Sequence, residues 1–387
     1  MKKIDILLLA RPDHSLQIYN ELSKQQDIKY HFVTFRVFKR WLRFLNIPRV
    51  GYVDRNVSVL VWLTVRHILK YNFGKFTNLN EKKYFEKGVS KILKSFKPRV
   101  IHFWPSYCYD EIKKYKKENP NVVTIADQYM PNPVFVLDIM KPVYDSYGLQ
   151  ISNTYLECYS NNIMKHFDGA DYIAVPSRFV EDTMKLSFPN HKYIRQSYGI
   201  KISPDYSFEL KTDTIRNFIY VGGISLEKGV DSILEYFSKH TKLELHLFGG
   251  MNAYQREIFD GYKQFPNIHF HGAVSKDVLN EQFKMMDVGI HPSRFDAYSL
   301  AVGEEIGSGL PVIVSDNTGI CDDVLENVWG LVFKTGNLNS LDAAIKKICI
   351  NENYNKYKTN IDTYITSSNN SSYGEAVLLT YQNLLNK

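Results

Sequence analysis

Two carboxylates stand eight residues apart in the stretch His291-Pro292-Ser293-Arg294-Phe295-Asp296-Ala297-Tyr298-Ser299-Leu300-Ala301-Val302-Gly303-Glu304, which runs on to Gly309-Leu310-Pro311-Val312-Ile313. Val288, Ile290 and Pro292 read as the end of a short strand, Ser293 to Tyr298 as its loop, and Ser299 onward as a helix that stops near Gly309 before a second apolar run. Asp296 then lies at the helix entrance and Glu304 further along the helix. Both acids can face one ligand laid over the helix N-terminus, where free backbone amides favour an anion. The same residues also suit a turn aspartate followed by ordinary surface acids, Glu304 and Glu305.

A second segment carries the opposite charge. Phe218-Ile219-Tyr220-Val221-Gly222-Gly223-Ile224-Ser225-Leu226-Glu227-Lys228-Gly229-Val230 reads as a strand, a glycine pair and the start of a helix whose apolar face is Val230, Ile233, Leu234 and Phe237. Glycine at that turn lets a phosphate approach the backbone, and Lys228 offers a full positive charge to a departing diphosphate. The plainer alternative is a tight turn with a solvated lysine. Leu247-Phe248-Gly249-Gly250 ends another strand. In Asn267-Ile268-His269-Phe270-His271-Gly272 the strand histidines read as structural.

The rest of the chain must hold these segments in place. Its 387 residues suit two domains of ordinary size, and a hydrophobic fraction of 44% suits packed cores. Short apolar runs alternate with amphipathic stretches from end to end, which predicts parallel sheets flanked by helices. Strands are expected over Ile4 to Ala10, Tyr30 to Thr34, Val100 to Phe103, Val122 to Ile125 and Tyr172 to Val175. After a break at Ser203-Pro204-Asp205 they resume over Asn217 to Val221, Leu243 to Phe248, Ile268 to Phe270, Val288 to Ile290 and Pro311 to Ser315. Helices are expected over Ser15 to Lys24, Glu81 to Ser95, Leu338 to Ile350 and Tyr373 to Leu385, the last preceded by a polar stretch from Asn351 to Asn370.

No apolar run reaches the roughly 18 residues of a spanning helix. Asp5 interrupts the N-terminal run, which reads as a buried strand and not as a signal peptide. The four cysteines are scattered without metal-ligand spacing, as in a reduced, cytoplasmic compartment. The net charge of +7 is uneven. Between residues 35 and 75, Arg36, Lys39, Arg40, Arg43, Arg49, Arg55, Arg66, Lys70 and Lys75 interleave with Phe35, Phe38, Trp41, Leu42, Phe44 and Trp62. This pattern suits either peripheral contact with an anionic membrane or a solvated helix packed on its own domain. No nucleic-acid module accompanies it.

The order of these motifs resembles the family-4 (group 1) retaining glycosyltransferases of GT-B fold, whose signature is Pro-Ser, an acid, seven residues, Glu, then a small-residue helix ending in Gly-x-Pro-Val-Ile. The resemblance covers most of the chain and is strongest from Asn217 to Ile345. It implies an α/β protein of two Rossmann-like domains whose parallel sheets face across a cleft. Residues 1–202 would form the acceptor side and 203–370 the nucleotide-sugar side, with a helix in 371–387 packing back on the first.

By that resemblance Gly222, Gly223 and Lys228 hold the donor diphosphate, the base approaches the chain at Gly249, and Glu304 accepts from the ribose hydroxyls. Asp296 would lie nearest the transferred sugar. The chain departs from the family at several of these points. Asp296 replaces Glu. Gly223 replaces the usual Arg, so a second cation would come from Arg294 or Arg11. Tyr298, Ser299 and Leu300 belong to Ala297-Tyr298-Ser299-Leu300, which stands for Gly-Phe-Gly-Leu, and its amides can still meet a diphosphate or sugar hydroxyls. Ala126 stands where His is common, leaving Asp127, with His14 and His102, as acceptor-side candidates.

The implied activity is transfer of one sugar, with retention, from a UDP- or GDP-linked donor to a saccharide or polyprenyl-linked acceptor, in cell-surface polysaccharide synthesis and without a cofactor or metal. The absence of an Asp-x-Asp triplet agrees with metal independence. Two rivals share the scaffold: a nucleotide-sugar epimerase or hydrolase, and a non-catalytic partner subunit of a polysaccharide assembly.

Overall fold

The structure, a computed structural model, describes residues 4–9, 15–25, 28–34, 57–59, 89–105, 108–150, 164–367 and 372–385. The basic, aromatic segment at 35–75, apart from 57–59, lies outside the described residues, as do Arg11 and His14.

Apolar runs such as 6–9 within β1 (Ile4–Leu9) and 218–221 within β8 (Asn217–Val221) can be buried on both faces, which favours parallel sheets covered by helices. Two such sheets form. The first contains β1 (Ile4–Leu9), β2 (Ile28–Thr34), β3 (Val57–Val59), β4 (Val100–Phe103), β5 (Val123–Asp127), β6 (Tyr172–Val175) and β7 (Lys192–Arg195), in the order β3-β2-β1-β4-β5-β6-β7. The second contains β8 (Asn217–Val221), β9 (Glu244–Phe248), β10 (Ile268–Gly272), β11 (Val288–His291), β12 (Val312–Ser315) and β13 (Gly330–Phe333), in the order β10-β9-β8-β11-β12-β13. Every pairing is parallel. Residues 196–216 join the sheets without helix or strand.

The helices are α1 (Ser15–Lys24), α2 (Tyr109–Glu118), α3 (Pro133–Ser146), α4 (Arg178–Lys185), α5 (Val230–Lys239), α6 (Ala253–Phe259), α7 (Lys276–Met285), α8 (Leu300–Gly307), α9 (Cys321–Glu326), α10 (Leu338–Ile348), α11 (Asn351–Thr366) and α12 (Tyr373–Leu385). Residues 89–96 are also helical. The polar stretch expected after Ile350 is instead α11. Its Tyr354, Tyr357 and Ile361 recur at helical spacing and are buried, the tyrosines against the second domain's core. Reading tyrosine as polar concealed that face.

Two helices tie the halves together. Val136 and Met140 of α3 pack in one cluster with Ile215, Ile224 and Leu226, and the Tyr144 hydroxyl donates to Glu227. At the other end of the chain, α12 leaves the second domain and buries Tyr373, Val377 and Tyr381 against Ile6, Leu8, Ile18 and Leu22 of the first. Close approach to α1 is possible because residue 374 is glycine: a Cβ there would stand 2.4 Å from the Gln17 carbonyl oxygen. Gly374→Ala should therefore lower stability by about 1–3 kcal/mol through overpacking. Urea unfolding is the measurement, and an unchanged midpoint would show that the helices can separate freely.

The edge strand β10 and its neighbour β9 carry a row of imidazoles. His246 Nδ1 lies 3.1 Å from His271 Nε2, and His269 Nε2 lies 2.9 Å from a Glu244 carboxylate oxygen. Burial, with help from His269 and His271, lowers the pKa of His246 from the ordinary 6.5 to about 4. The folded chain thus resists a proton that the unfolded chain accepts. The stability that His246 contributes is full above about pH 6.5 and falls as pH drops toward about 4. His246→Gln should flatten that part of the stability curve, measured by unfolding at a series of pH values. An identical slope in the variant would contradict this origin.

Candidate functional site

In both sheets the chain winds outward in opposite directions from a central pair of strands, β1 with β4 and β8 with β11. Such a switch point opens a crevice at the carboxyl ends of the strands. At the second one, β8 runs into Gly222-Gly223 and β11 into Pro292-Ser293. The two loops touch: Gly229 has φ +65°, and a Cβ on it would lie 1.9 Å from the Pro292 carbonyl oxygen. Only glycine fits there, and its fit sets Lys228 beside the loop that follows β11.

Lys228 Nζ donates to Asp296 Oδ2 at 2.6 Å. The other carboxylate oxygen accepts from the backbone amides of Ser299 at 2.9 Å and Tyr298 at 3.3 Å. Asp296 thus satisfies the open amides at the entrance of α8 while facing a cation across the crevice. Ser299, the residue before the helix, has φ +70°, a left-handed conformation rare for a residue with a side chain.

Helix α8 is held from beneath by a buried hydrogen-bonded pair. His291 Nε2 donates to Glu305, lying 2.9 and 2.8 Å from its two carboxylate oxygens, and the exposures of the two residues are 2% and 0%. Gly289 makes the room, since a Cβ there would fall 2.0 Å from Glu305 Oε2. Burial raises the Glu305 pKa against the opposing pull of His291.

A cavity of about 360 Å³ lies between the lobes. The second domain lines it with Tyr220, Val221, Gly222, Lys228, His291, Ser293, Phe295 and the run Asp296–Ala301. The first domain contributes Trp104, Tyr129, Met130 and Tyr198. Two hydrogen bonds join the walls: Ser177 Oγ donates to the Ala297 carbonyl at 2.7 Å, and Ser197 Oγ meets Tyr298 Oη at 2.6 Å. Burial and the neighbouring Asp323 push the Tyr298 hydroxyl pKa well up, so it remains a donor. One cation, one carboxylate and a helix entrance, enclosed by aromatic rings, suit a ligand with an anionic end and a polyhydroxyl end.

Of the residues singled out in the sequence, Gly222, Lys228, Asp296, Tyr298, Ser299 and Leu300 meet in this cavity. Others stand apart from it. Gly223 lies at its edge, its carbonyl accepting from Tyr220 Oη. Gly249 packs against the Gly222 carbonyl and supports the turn. Arg294 cannot replace the missing cation: its guanidinium forms two 2.6 Å bonds to Asp231 and a third to the Leu226 carbonyl, so it ties the two loops together. Glu304 is not among the residues that line the cavity and pairs with Lys276.

Asp127 is 4% exposed and lies outside the cavity lining. It sits 3.2 Å from His102 Nε2 and accepts from Tyr373 Oη, because the end of β5 is covered by α12. His102 is wholly buried, its Nδ1 2.6 Å from Tyr381 Oη. His14 is outside the described residues. The sequence reading did not single out Trp104, Tyr129 or Met130. Each belongs to a loop beyond a strand end in the first domain, and no motif marks it.

Residues 205–364 match the family of group 1 glycosyl transferases. Similar curated proteins include an uncharacterized glycosyltransferase of Methanocaldococcus jannaschii, 22% identical over 46% of this chain and 45% of that protein. A second from the same organism is 20% identical over 88% of this chain and 86% of its own length. The chain thus spans less than half of the first relative and most of the second. Among solved structures, sucrose-phosphate synthase from Thermosynechococcus elongatus superposes with a TM-score of 0.72 at 16% identity, covering 99% of this chain and 100% of that one. The lipopolysaccharide outer core galactosyltransferase WaaB superposes at 0.65 with 14% identity, covering 99% of each chain. The chain has the two-domain GT-B fold, and the match to group 1 glycosyl transferases falls on its second half, residues 205–364.

The left-handed Ser299 gives a direct test of the local geometry. Such a conformation costs an L-residue roughly 1–2 kcal/mol, and glycine returns roughly 0.5–1 kcal/mol of that as chain entropy. Ser299→Gly should therefore stabilise the protein by about 0.5–1 kcal/mol in chemical denaturation. A loss of stability would mean that the Ser299 side chain makes a contact worth more than the strain.

Proposed function

We propose that the chain transfers a sugar from a nucleoside diphosphate donor to a hydroxyl of a saccharide or lipid-linked saccharide, with retention at the anomeric carbon. The observation that carries this reading is the meeting of Lys228, Asp296 and the entrance of α8 in one cavity at the paired switch points. Names among the similar proteins agree with it. They include a sulfoquinovosyl transferase of Arabidopsis thaliana and a GDP-mannose-dependent alpha-mannosyltransferase of Corynebacterium glutamicum, and one superposing structure from E. coli is bound with UDP-2-fluoro glucose.

In this reading the diphosphate lies over the glycine turn and the α8 entrance, with Lys228 neutralising the charge that grows on the leaving oxygen. The C1–O bond to the phosphate breaks and its electron pair stays with the phosphate. The acceptor hydroxyl bonds to C1 from the same face, and its proton passes to the departing phosphate oxygen. No protein nucleophile is required. Asp296 steadies the sugar, and the aromatic walls exclude water that would hydrolyse the donor. An anionic membrane as the place of a lipid-linked acceptor rests on the basic, aromatic sequence at 35–75 alone.

A ligand that binds only the folded state raises its stability, by about 2.7 kcal/mol at a hundred times Kd. UDP or GDP should therefore raise the melting temperature. Lys228→Ala should weaken that binding by about 1.5–3 kcal/mol, the scale of a lost hydrogen bond from a charged group. No shift with any nucleoside diphosphate would leave a non-catalytic subunit as the better account, and donor consumption without acceptor glycosylation would favour a hydrolase or epimerase.

A further inference from the structure

Glu304 and Glu305 are adjacent, yet the fold gives them opposite roles. Glu305 is fixed inside by His291 and the space above Gly289, so the rotation of α8 about its axis is set. Consecutive helical side chains diverge by about 100°. Glu304 therefore projects outward, one turn beyond Leu300 and Ala301, which line the cavity. Helical spacing puts it on the face of α8 that carries those two residues, just beyond the lining.

There its carboxylate accepts a hydrogen bond from Lys276 Nζ, and the side chains are 29% and 48% exposed. Lys276 is the first residue of α7, after the cap Ser275, whose side chain accepts from Val278 N. A cation at a helix N-terminus opposes the helix dipole. An exposed ion pair of this kind adds little to folding. Neither local helix energetics nor global stability accounts for a lysine here. What it does supply is a partner that fixes one Glu304 oxygen in place and cancels a negative charge beside a site read as taking a diphosphate.

We propose that Lys276 is a positioning residue for the ribose of the nucleotide. By holding Glu304 Oε1 it aims the other oxygen at the sugar diol, and it offsets the repulsion between Glu304 and the phosphates. This rests on the donor reading above and adds to it a residue on a different helix, twenty-eight positions earlier in the chain.

The test compares binding of UDP and GDP with that of their 2′-deoxy counterparts by titration calorimetry. The unaltered protein should prefer the ribonucleotide. Lys276→Ala should weaken ribonucleotide binding about tenfold, the scale of one charge-assisted hydrogen bond. The variant should also bring the ribo-to-deoxy ratio toward one, raise the donor KM and leave kcat unchanged. Lys276→Arg should restore the preference. Lys284→Ala, on the same helix and paired with Glu281, should change nothing. Melting temperatures matching the unaltered protein separate these effects from misfolding.

An unchanged ratio in Lys276→Ala, or an equal effect from Lys284→Ala, overturns the inference and leaves the donor reading intact. Failure of the unaltered protein to bind any nucleotide overturns both.

Discussion

A carboxylate enclosed by protein on every side is unfavourable unless a partner meets it, and the position of Glu305 follows from that constraint. His291 supplies the bond from the neighbouring strand, and Gly289, two residues earlier on that strand, supplies the volume. The helix cannot turn or slide without leaving a buried carboxyl group without its partner. From the other side, α8 lies against the linker between the domains: a Cβ at Gly307 would stand 2.1 Å from the Lys201 carbonyl oxygen, and the Gly307 carbonyl accepts from Ser203 N at 2.8 Å. The direction of Glu304, the amides offered to Asp296 and the imidazole in the cavity wall all inherit their geometry from this lock.

On the donor reading the site combines acids with a place for phosphates, which is electrostatically unfavourable unless each acid has its own cation. Lys228 answers Asp296 and Lys276 answers Glu304. The pairing with Asp296 uses the same groups that suit a phosphate oxygen, an ammonium and the amides at a helix entrance. Without a ligand, therefore, the carboxylate occupies an anion site. A diphosphate entering it shares Lys228 with Asp296 or displaces that contact. A short aspartate tethered to two amides keeps its place more readily than a longer glutamate would, so the substitution at this position bears on how donor and acid divide the lysine.

Much of this was legible in the sequence because it is local. The strand, loop and helix around Asp296 follow from apolar spacing and from the glycine and proline positions, and Lys228 stands at a fixed offset from its strand. Local reading fails where the partner is remote. Arg294 looks like a free cation until Asp231, sixty-three residues away in the chain, accepts from both terminal nitrogens of its guanidinium. Asp127 looks available until α12 covers it with Tyr373, from the far end of the chain. Glu304 and Glu305 are indistinguishable by type, and only the void over Gly289 on another element decides which one faces outward. The aromatic wall from the first domain belongs to the same class: Trp104, Tyr129 and Tyr198 come from three separate loops, and no sequence period connects them.

The first domain also meets the second through contacts that reach the glycine turn and the loop of Asp296. Tyr144 of α3 bonds to Glu227, the residue next to Lys228, while Ser177 and Ser197 bond to the backbone of Ala297 and the hydroxyl of Tyr298, the residues next to Asp296. Each half of the ion pair thus has a neighbour anchored to the opposite lobe. A hinge motion of one lobe would pull on both loops at once, because the anchors are single hydrogen bonds to the flanks of the reacting groups, not to the groups themselves. Lys228 and Asp296 both belong to the second domain, so opening the cleft would strain the loops that carry the pair, and the two lobes are mechanically joined to those loops.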